Sequence, residues 1–202
     1  MRTQLRPDRT ILREGRVVED AWIHLNDDDP LPPRGDVVVS LGRLARERDV
    51  LLARDGRLGA RLETHERAEE LAAAVELDAL ALVVIHVHKF VDGRYYSTAR
   101  LLRMRHGFTG ELRATGDVLP DQLFYMRRVG FDAFSLRPDK SIETALRALR
   151  TFTVTYQGAE DGPPLYRRRF ADLALVGEGY LDAASGFDRC HWWLFEKPGA
   201  GA

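Results

Sequence analysis

Apolar residues recur along the chain in two alternating patterns, and this alternation predicts the fold. From residue 36 onward, short apolar runs typical of buried strands alternate with segments in which leucines return at helical spacing. The predicted strands are DVVVS, GRLGARLE, DALALVVIHVH, TGELRATG and FDAFSL. The predicted helices are LGRLARERDVLLAR, THERAEELAAAVE, DGRYYSTARLLRMRH, DVLPDQLFYMRRVG and SIETALRALRTF. Such alternation indicates an α/β fold with a mostly parallel β-sheet of about five strands and helices packed on it.

Two sheet architectures fit this series of strand–helix units. An open, doubly wound sheet of the Rossmann or flavodoxin kind is the first expectation. A partial (β/α) barrel is the alternative, because five or six units are too few to complete a barrel of eight. Residues 1–35 are predicted to form an N-terminal hairpin, edge strand or flap, residues 36–157 the α/β core domain, and residues 158–202 a partly irregular C-terminal extension.

Composition narrows the classes of function. The chain has 202 residues, 45% of them hydrophobic, and a formal net charge of -1, which argues against a general nucleic-acid binder. No apolar run is long enough to span a membrane, and the first residues lack the apolar core of a secretory signal, so a cytoplasmic location is expected. The single cysteine, Cys190, excludes an intramolecular disulfide and a Cys-Cys metal site.

Two polar turns follow neighbouring predicted strands. The segment KFVDGR begins at residue 89, and RATGD ends at residue 117. Because the carboxyl ends of parallel strands share one edge of a sheet, both turns are expected at that edge. Asp92 and Asp117 are predicted to cap the helices that follow. Gly93 and Gly116 would let the backbone take a positive φ or approach a ligand closely.

Basic residues around these turns suggest an anion site. Residues 89–137 contain nine lysines and arginines against five acids, within a chain of net charge -1. Such a surplus beside a helix N-terminus would attract a small oxyanion or a phosphate. The alternative is a solvated or salt-bridged basic surface. The candidate anion ligands are Lys89, Arg94, Arg100, Arg103 and Arg113.

The sequence gives only weak signs of a metal site and none of a known cofactor or catalytic motif. His86 and His88 lie on one face of a predicted strand, a spacing that metal sites use. No third ligand stands at a motif spacing from them, so no metal is predicted. The chain has no GxGxxG, GxxxxGK[ST] or GxSxG motif. No cofactor is predicted, and no catalytic residue can be assigned.

The block KFVDGRYYSTARLLRMRHGFTGELRATGDVLPDQLFYMRRVGFDAF, residues 89–134, resembles the bacterial family known as domain of unknown function 934. Its pattern there is F-x-DGR-x-YS-x-ARLLR, followed by GELRA, GDVL-x-DQL and MRR-x-GFDAF. A weaker resemblance covers residues 10–157. The chain departs from the family at Val129, where many members carry cysteine, and at His86 and His88, which replace apolar or proline positions. The motif also includes these polar residues: Tyr96, Ser97, Asp121, Gln122, Arg127 and Arg128.

The resemblance implies a pathway more than a chemistry. Members are commonly encoded beside sulfite reductase and sulfate-assimilation genes, which implies an accessory protein or an oxidoreductase in assimilatory sulfite reduction. A small-oxyanion or sulfur-nucleotide site at the C-terminal edge of the sheet would serve that role. The alternative is a non-enzymatic adaptor that docks on sulfite reductase or its electron donor. The lack of a flavin, NAD, haem or iron–sulfur signature favours an accessory role.

Overall fold

The structure is a computed structural model that describes residues 9–152, 155–160, 162 and 164. The ten strands and helices predicted from the apolar pattern are all present with the predicted type. The strands are β1 (Thr10–Arg13), β2 (Arg16–Glu19), β3 (Ile23–His24), β4 (Val37–Ser40), β5 (Leu58–Glu63), β6 (Leu80–Val87), β7 (Glu111–Gly116) and β8 (Ala133–Phe134). The α-helices are α1 (Leu41–Leu52), α2 (Ala68–Ala74), α3 (Arg94–Met104), α4 (Leu123–Arg128) and α5 (Ile142–Ala148). Most of the predicted C-terminal extension, including Cys190, lies outside the described residues.

All eight strands belong to one sheet, in the order β2-β1-β8-β7-β6-β5-β4-β3. Within the series from β3 to β8 neighbouring strands are parallel, whereas β1 is antiparallel to both β2 and β8. The prediction of a mostly parallel sheet of about five strands is therefore wrong, because the sheet is mixed and has eight. The N-terminal hairpin joins this sheet by pairing β1 with β8, a contact between distant segments that a local apolar pattern does not encode.

The strand order also decides between the two expected architectures. From β3 to β8 each strand lies beside the next one in sequence, and the order never reverses. A doubly wound sheet requires such a reversal, so the open Rossmann or flavodoxin-like arrangement is wrong. Right-handed crossovers that always advance in one direction place the helices on one face of the sheet, as in the partial (β/α) barrel alternative.

The sheet curls until its two edges approach each other. Strands β2 and β3 lie at opposite edges, yet only residues 20–22 connect them. The four peptide steps from Glu19 to Ile23 span at most about 14 Å. Eight strands in a flat sheet would place the outer two roughly 34 Å apart. The curl gives the sheet an outer face, which carries the helices, and an enclosed inner face.

The two faces carry different cores. On the outer face Val83 and Ile85 of β6 pack with residues of the helices in one large apolar cluster. On the inner face Leu82 and Val84 pack against Val38 and against Trp22 in the connection between β2 and β3. Each of these four inner-face residues is buried. No helix among the described residues combines the length and the apolar character needed to cross a membrane.

An ion cluster fixes the segment that links the two edges of the sheet. Arg113 of β7 is only 1% exposed, and its Nε and Nη2 donate to Glu111 Oε1 at 2.9 and 2.7 Å. Its Nη1 lies 2.8 Å from Asp20 Oδ1, and this oxygen also accepts from the Trp22 backbone N at 3.1 Å. His24 Nε2 lies 2.9 Å from the other oxygen of Asp20. Burial alone would raise the pKa of Asp20, but the contacts with His24 and Arg113 outweigh it and lower this pKa from 3.8 to about 2.

Candidate functional site

The two polar turns leave the sheet on the same side, at the edge formed by the carboxyl ends of the strands, as predicted. Strands β6 and β7 are adjacent and parallel, and Val87 pairs with Gly116 at their carboxyl ends. The β6–α3 loop (residues 88–93) and the β7–α4 connection (residues 117–122) therefore emerge side by side. The Asp117 backbone N donates to the Val87 carbonyl at 2.8 Å and starts a set of contacts between them.

Asp117 joins these two segments instead of capping a helix. Its Oδ2 accepts from the Phe90 backbone N at 3.0 Å, and its Oδ1 accepts from Arg137 Nη1 at 2.9 Å. The side chain of Gln122 donates to the Phe90 carbonyl at 3.1 Å. No helix starts directly after Asp117, because α4 begins at Leu123 after a short 3-10 turn. The predicted capping role of Asp117 is thus wrong. The Phe90 N–H, with Arg137, lowers the pKa of this carboxyl group.

Asp92 holds the other end of the β6–α3 loop. Its two oxygens accept from Arg94 Nε at 2.9 Å and Arg94 Nη2 at 2.7 Å. It also accepts from the Arg94 backbone N at 3.3 Å, at the start of α3, where Gly93 occupies the N-cap position. The Arg94 guanidinium, and then the Thr64 hydroxyl, hold the pKa of Asp92 well below its usual range. The positive charge of Arg94 is therefore already paired with Asp92.

The five candidate anion ligands do not come together. Arg113 is buried on the inner face in its ion cluster, away from the edge where the loops emerge. Arg103 lies at the amino-terminal ends of the strands, where it donates to the backbone carbonyls that precede β7 and β8. Arg100 is exposed on α3, with its Nε 3.0 Å from Met104 Sδ. Only Lys89, on the β6–α3 loop, and Arg94, the first residue of α3, lie where the two loops emerge.

The remaining polar residues of the motif serve several local contacts. Tyr96 packs against the ring of Tyr125, with centroids 5.1 Å apart. Arg127 lies over the ring of Phe124 at 5.5 Å, and Arg128 donates to the Gln157 carbonyl. Ser97 and Asp121 are exposed. These residues lie mainly on the helical surface beside the loops, and their contacts do not identify a catalytic group.

A second polar group lies on the inner face at the same edge of the sheet. Glu63 ends β5 and pairs in register with His86 of β6, and His88 follows two residues later on the same face. His88 Nε2 lies 2.8 Å from Glu63 Oε2. One potential ligand atom from each of the three residues lies within 4.8 Å of the other two. Sequence spacing missed Glu63, because only the parallel register of β5 and β6 places it beside the histidines.

The environment of His86 is partly buried. Its Nδ1 lies 3.2 Å from the Thr115 hydroxyl on β7. Burial, only partly offset by Glu63, lowers the pKa of His86, so the ring is neutral over a wider pH range. Gly116 takes a φ of +90°, and a Cβ there would lie 3.0 Å from His86 Cε1 and 2.4 Å from the Val87 carbonyl oxygen. Gly116 thus provides the space in which the imidazole ring sits.

The comparison with known sequence families agrees with the motif block. The sequence model of the bacterial family of unknown function DUF934 matches residues 59–166, more than half of the chain. This range contains β5 except its first residue, β6 to β8, both loops at the polar edge, and the group of Glu63, His86 and His88. No curated protein and no solved structure matches the chain.

Proposed function

Since the chain belongs to the bacterial family of unknown function DUF934, we propose that it is a cytoplasmic accessory protein of sulfur metabolism, acting in assimilatory sulfite reduction. In this proposal it docks on sulfite reductase or on the electron donor of that enzyme. The pathway follows from the association with sulfite reductase and sulfate-assimilation genes that the resemblance to this family implies. The form of the β6–α3 loop supports docking, because it exposes the apolar side chains of Phe90 and Val91.

The observation that carries the docking proposal is the orientation of this loop. Phe90 and Val91 are 46% and 72% exposed, whereas the polar side chains of Asp92, Asp117 and Gln122 around them are bonded within the protein. Asp117 and Gln122 hold the backbone N and O of Phe90, and Asp92 is bound by Arg94. A loop that is already ordered loses little conformational entropy on binding, so its apolar tip is suited to a protein contact.

A groove extends the apolar surface beyond the β7–α4 connection. It lies between α4 and α5, has a volume of about 620 Å³, and is lined in part by Leu119, Phe124 and Phe152. Tyr125 and Phe152 at its rim are 53% and 60% exposed. Aromatic side chains of this kind are common anchors in protein interfaces. The tip of the loop and the groove together give a partner two apolar features on one side of the molecule.

A small-oxyanion site, in an enzyme or an oxidoreductase, is the second candidate. It is favoured by Lys89, which is exposed beside the N-terminus of the 11-residue helix α3. Arg94 would have to exchange Asp92 for the anion, and Arg100 lies about 1.7 turns further along the helix. Sulfite, sulfate or adenosine phosphosulfate would be the ligands.

Direct binding to purified sulfite reductase and its electron donor tests the docking proposal. Replacing both Phe90 and Val91 by serine should weaken binding by about tenfold or more, the effect of removing one strong interface contact. The matched control is Val50→Ser, since Val50 is 60% exposed on α1 and belongs to neither loop. Unchanged binding by the double variant, or no binding of the wild type to either protein, would contradict docking.

Calorimetric titration with sulfite, sulfate and adenosine phosphosulfate distinguishes the oxyanion site from the docking proposal. Saturable binding by the wild type that is lost in Arg94→Ala would favour the oxyanion site over the docking face. If none of the three anions binds at millimolar concentration, the oxyanion site is excluded while the docking test stands on its own result.

A further inference from the structure

We propose that Glu63, His86 and His88 form a binding site for a divalent first-row transition-metal ion, with zinc as the expected occupant. This inference is independent of docking and reverses the expectation drawn from the sequence, where no third ligand was visible. The potential ligand atoms of the three side chains already lie within 4.8 Å of one another. The site sits on the inner face of the sheet, at the carboxyl ends of β5 and β6.

The sheet holds the ligands in a fixed relation. Glu63 and His86 are register partners on hydrogen-bonded parallel strands. His86 and His88 are two residues apart, so both side chains are on the same face as Glu63. Their rings meet edge to face with centroids 4.8 Å apart. Glu63 and His86 lie on adjacent strands, which position ligands more rigidly than loops do, and His88 is the first residue after β6.

The distances are close to those of ligands that share one ion. Two donors bound to zinc at about 2.0–2.1 Å in tetrahedral geometry are roughly 3.3 Å apart. His88 Nε2 and Glu63 Oε2 are 2.8 Å apart. The most widely separated of the three ligand atoms need to approach by only about 1.5 Å, which rotation of the side chains can supply.

The surroundings of the site include a polar partner for one ligand ring and one opposing charge. The Thr115 hydroxyl lies 3.2 Å from His86 Nδ1, the kind of contact by which an outer partner orients a ligand ring through its other nitrogen. Arg61 Nε lies 3.4 Å from Glu63 Oε1 and is a nearby cation that opposes the ion, although it faces the carboxylate oxygen that does not contact His88.

The donor set identifies the class of ion. Two imidazole nitrogens and one carboxylate oxygen suit zinc, iron(II) and their neighbours, and do not suit magnesium or calcium, which prefer oxygen ligands. Three protein ligands leave a coordination position open. The side chain of His88 is 57% exposed, so that position can be reached from solvent. The site therefore has the form of an open metal centre that could take water or a small anion as a further ligand.

Equilibrium dialysis of metal-free protein against Zn²⁺ tests the proposal. The full-length chain should carry Cys190→Ser, because the adjacent Cys190 and His191 offer competing ligands. One zinc per chain is expected. Glu63→Gln and His88→Ala should each lower the affinity by more than the roughly 10–100-fold that loss of an outer-shell partner causes. The matched control is His65→Ala, because His65 is exposed two residues from Glu63 but outside the cluster.

A second measurement guards against variants that fail to fold. Bound Co²⁺ reports its ligands through its visible absorption spectrum, and His88→Gln, at an exposed position, should change this spectrum without altering the far-ultraviolet circular dichroism of the chain. The proposal is overturned if the wild type binds no stoichiometric zinc. It is equally overturned if zinc binding persists at full affinity in Glu63→Gln and His88→Ala, or falls as much in His65→Ala.

Discussion

Asp20→Asn should destabilise the protein by removing one charge from the ion cluster that fixes the link between the sheet edges. Asparagine keeps an oxygen that can accept from the Trp22 N–H, so the change isolates the interaction with Arg113 and His24. The pKa of Asp20 falls from 3.8 to about 2, which corresponds to about 2 kcal/mol of folding free energy. This is less than the roughly 3–5 kcal/mol for breaking a buried pair, because Glu111 still binds Arg113.

The pH dependence of this effect has a definite sign. The folded-state pKa of Asp20 is depressed, so its stabilising contribution is fully present above the unfolded pKa of 3.8. It is lost as the pH falls from there through about 2. Urea unfolding of wild type and Asp20→Asn should therefore show a difference of about 2 kcal/mol near neutral pH and roughly half of that near pH 3.

The control and the refuting outcome come from an exposed ion pair. Arg34 and Asp55 are 85% and 81% exposed, with Nε and Oδ2 3.7 Å apart, so Asp55→Asn should change the free energy of unfolding by less than about 0.5 kcal/mol. A loss in Asp20→Asn no larger than in Asp55→Asn would refute the role of the cluster. A loss that stays constant down to about pH 3 would show that the effect is not one of charge.

Two further substitutions test the edges of the sheet by urea unfolding. Arg103→Met should cost about 2–3 kcal/mol, because it removes the donor of three backbone carbonyls at the amino-terminal edge and the cation beside Asp132, whose Oδ2 keeps only the Leu112 N–H; a loss below about 1 kcal/mol would contradict this. Gly116→Ala should cost more than about 1 kcal/mol, because alanine is strained at a φ of +90° and its Cβ would lie 2.4 Å from the Val87 carbonyl oxygen. Gly107→Ala is its control, because Gly107 also has a positive φ but no atom lies within 4 Å of the added Cβ. An equal loss of stability in Gly107→Ala would show that backbone strain, and not the contact with Val87, explains the effect.

The sequence was sufficient for the elements and insufficient for the sheet. Apolar runs of period two and leucines at helical spacing reflect burial of each element on its own, so the type of every predicted element is correct. Strand order depends on contacts between distant segments. The pairing of Leu12 with Phe134 joins β1 to the last strand, and the sequence pattern around either residue does not predict it. The two-residue strand β3 is too short to show a period at all.

The same limit explains the candidate site. The positions of Asp92 and Asp117 after two strands correctly predicted a shared edge, because parallel neighbours bring their carboxyl ends together. A surplus of positive charge does not reveal where each guanidinium points. Arg113 alternates onto the inner face and Arg103 lies a full helix length from the loop, so residues that are close in sequence are separated by the sheet.

The two proposals can be separated because they use residues that relate differently to the family pattern. Phe90 is the aromatic residue of the F-x-DGR motif, whereas His86 and His88 depart from the apolar or proline positions that the resemblance implies there. Docking is therefore expected as a property of the family, and the metal site as a property of this chain. The variants that test them should not interfere with each other, because the Phe90 side chain is exposed on the loop and the histidines lie on the inner face. The double serine variant at Phe90 and Val91 should bind zinc like the wild type, and His88→Ala should dock normally. If one variant removed both functions, the metal and the loop would have to act as one site.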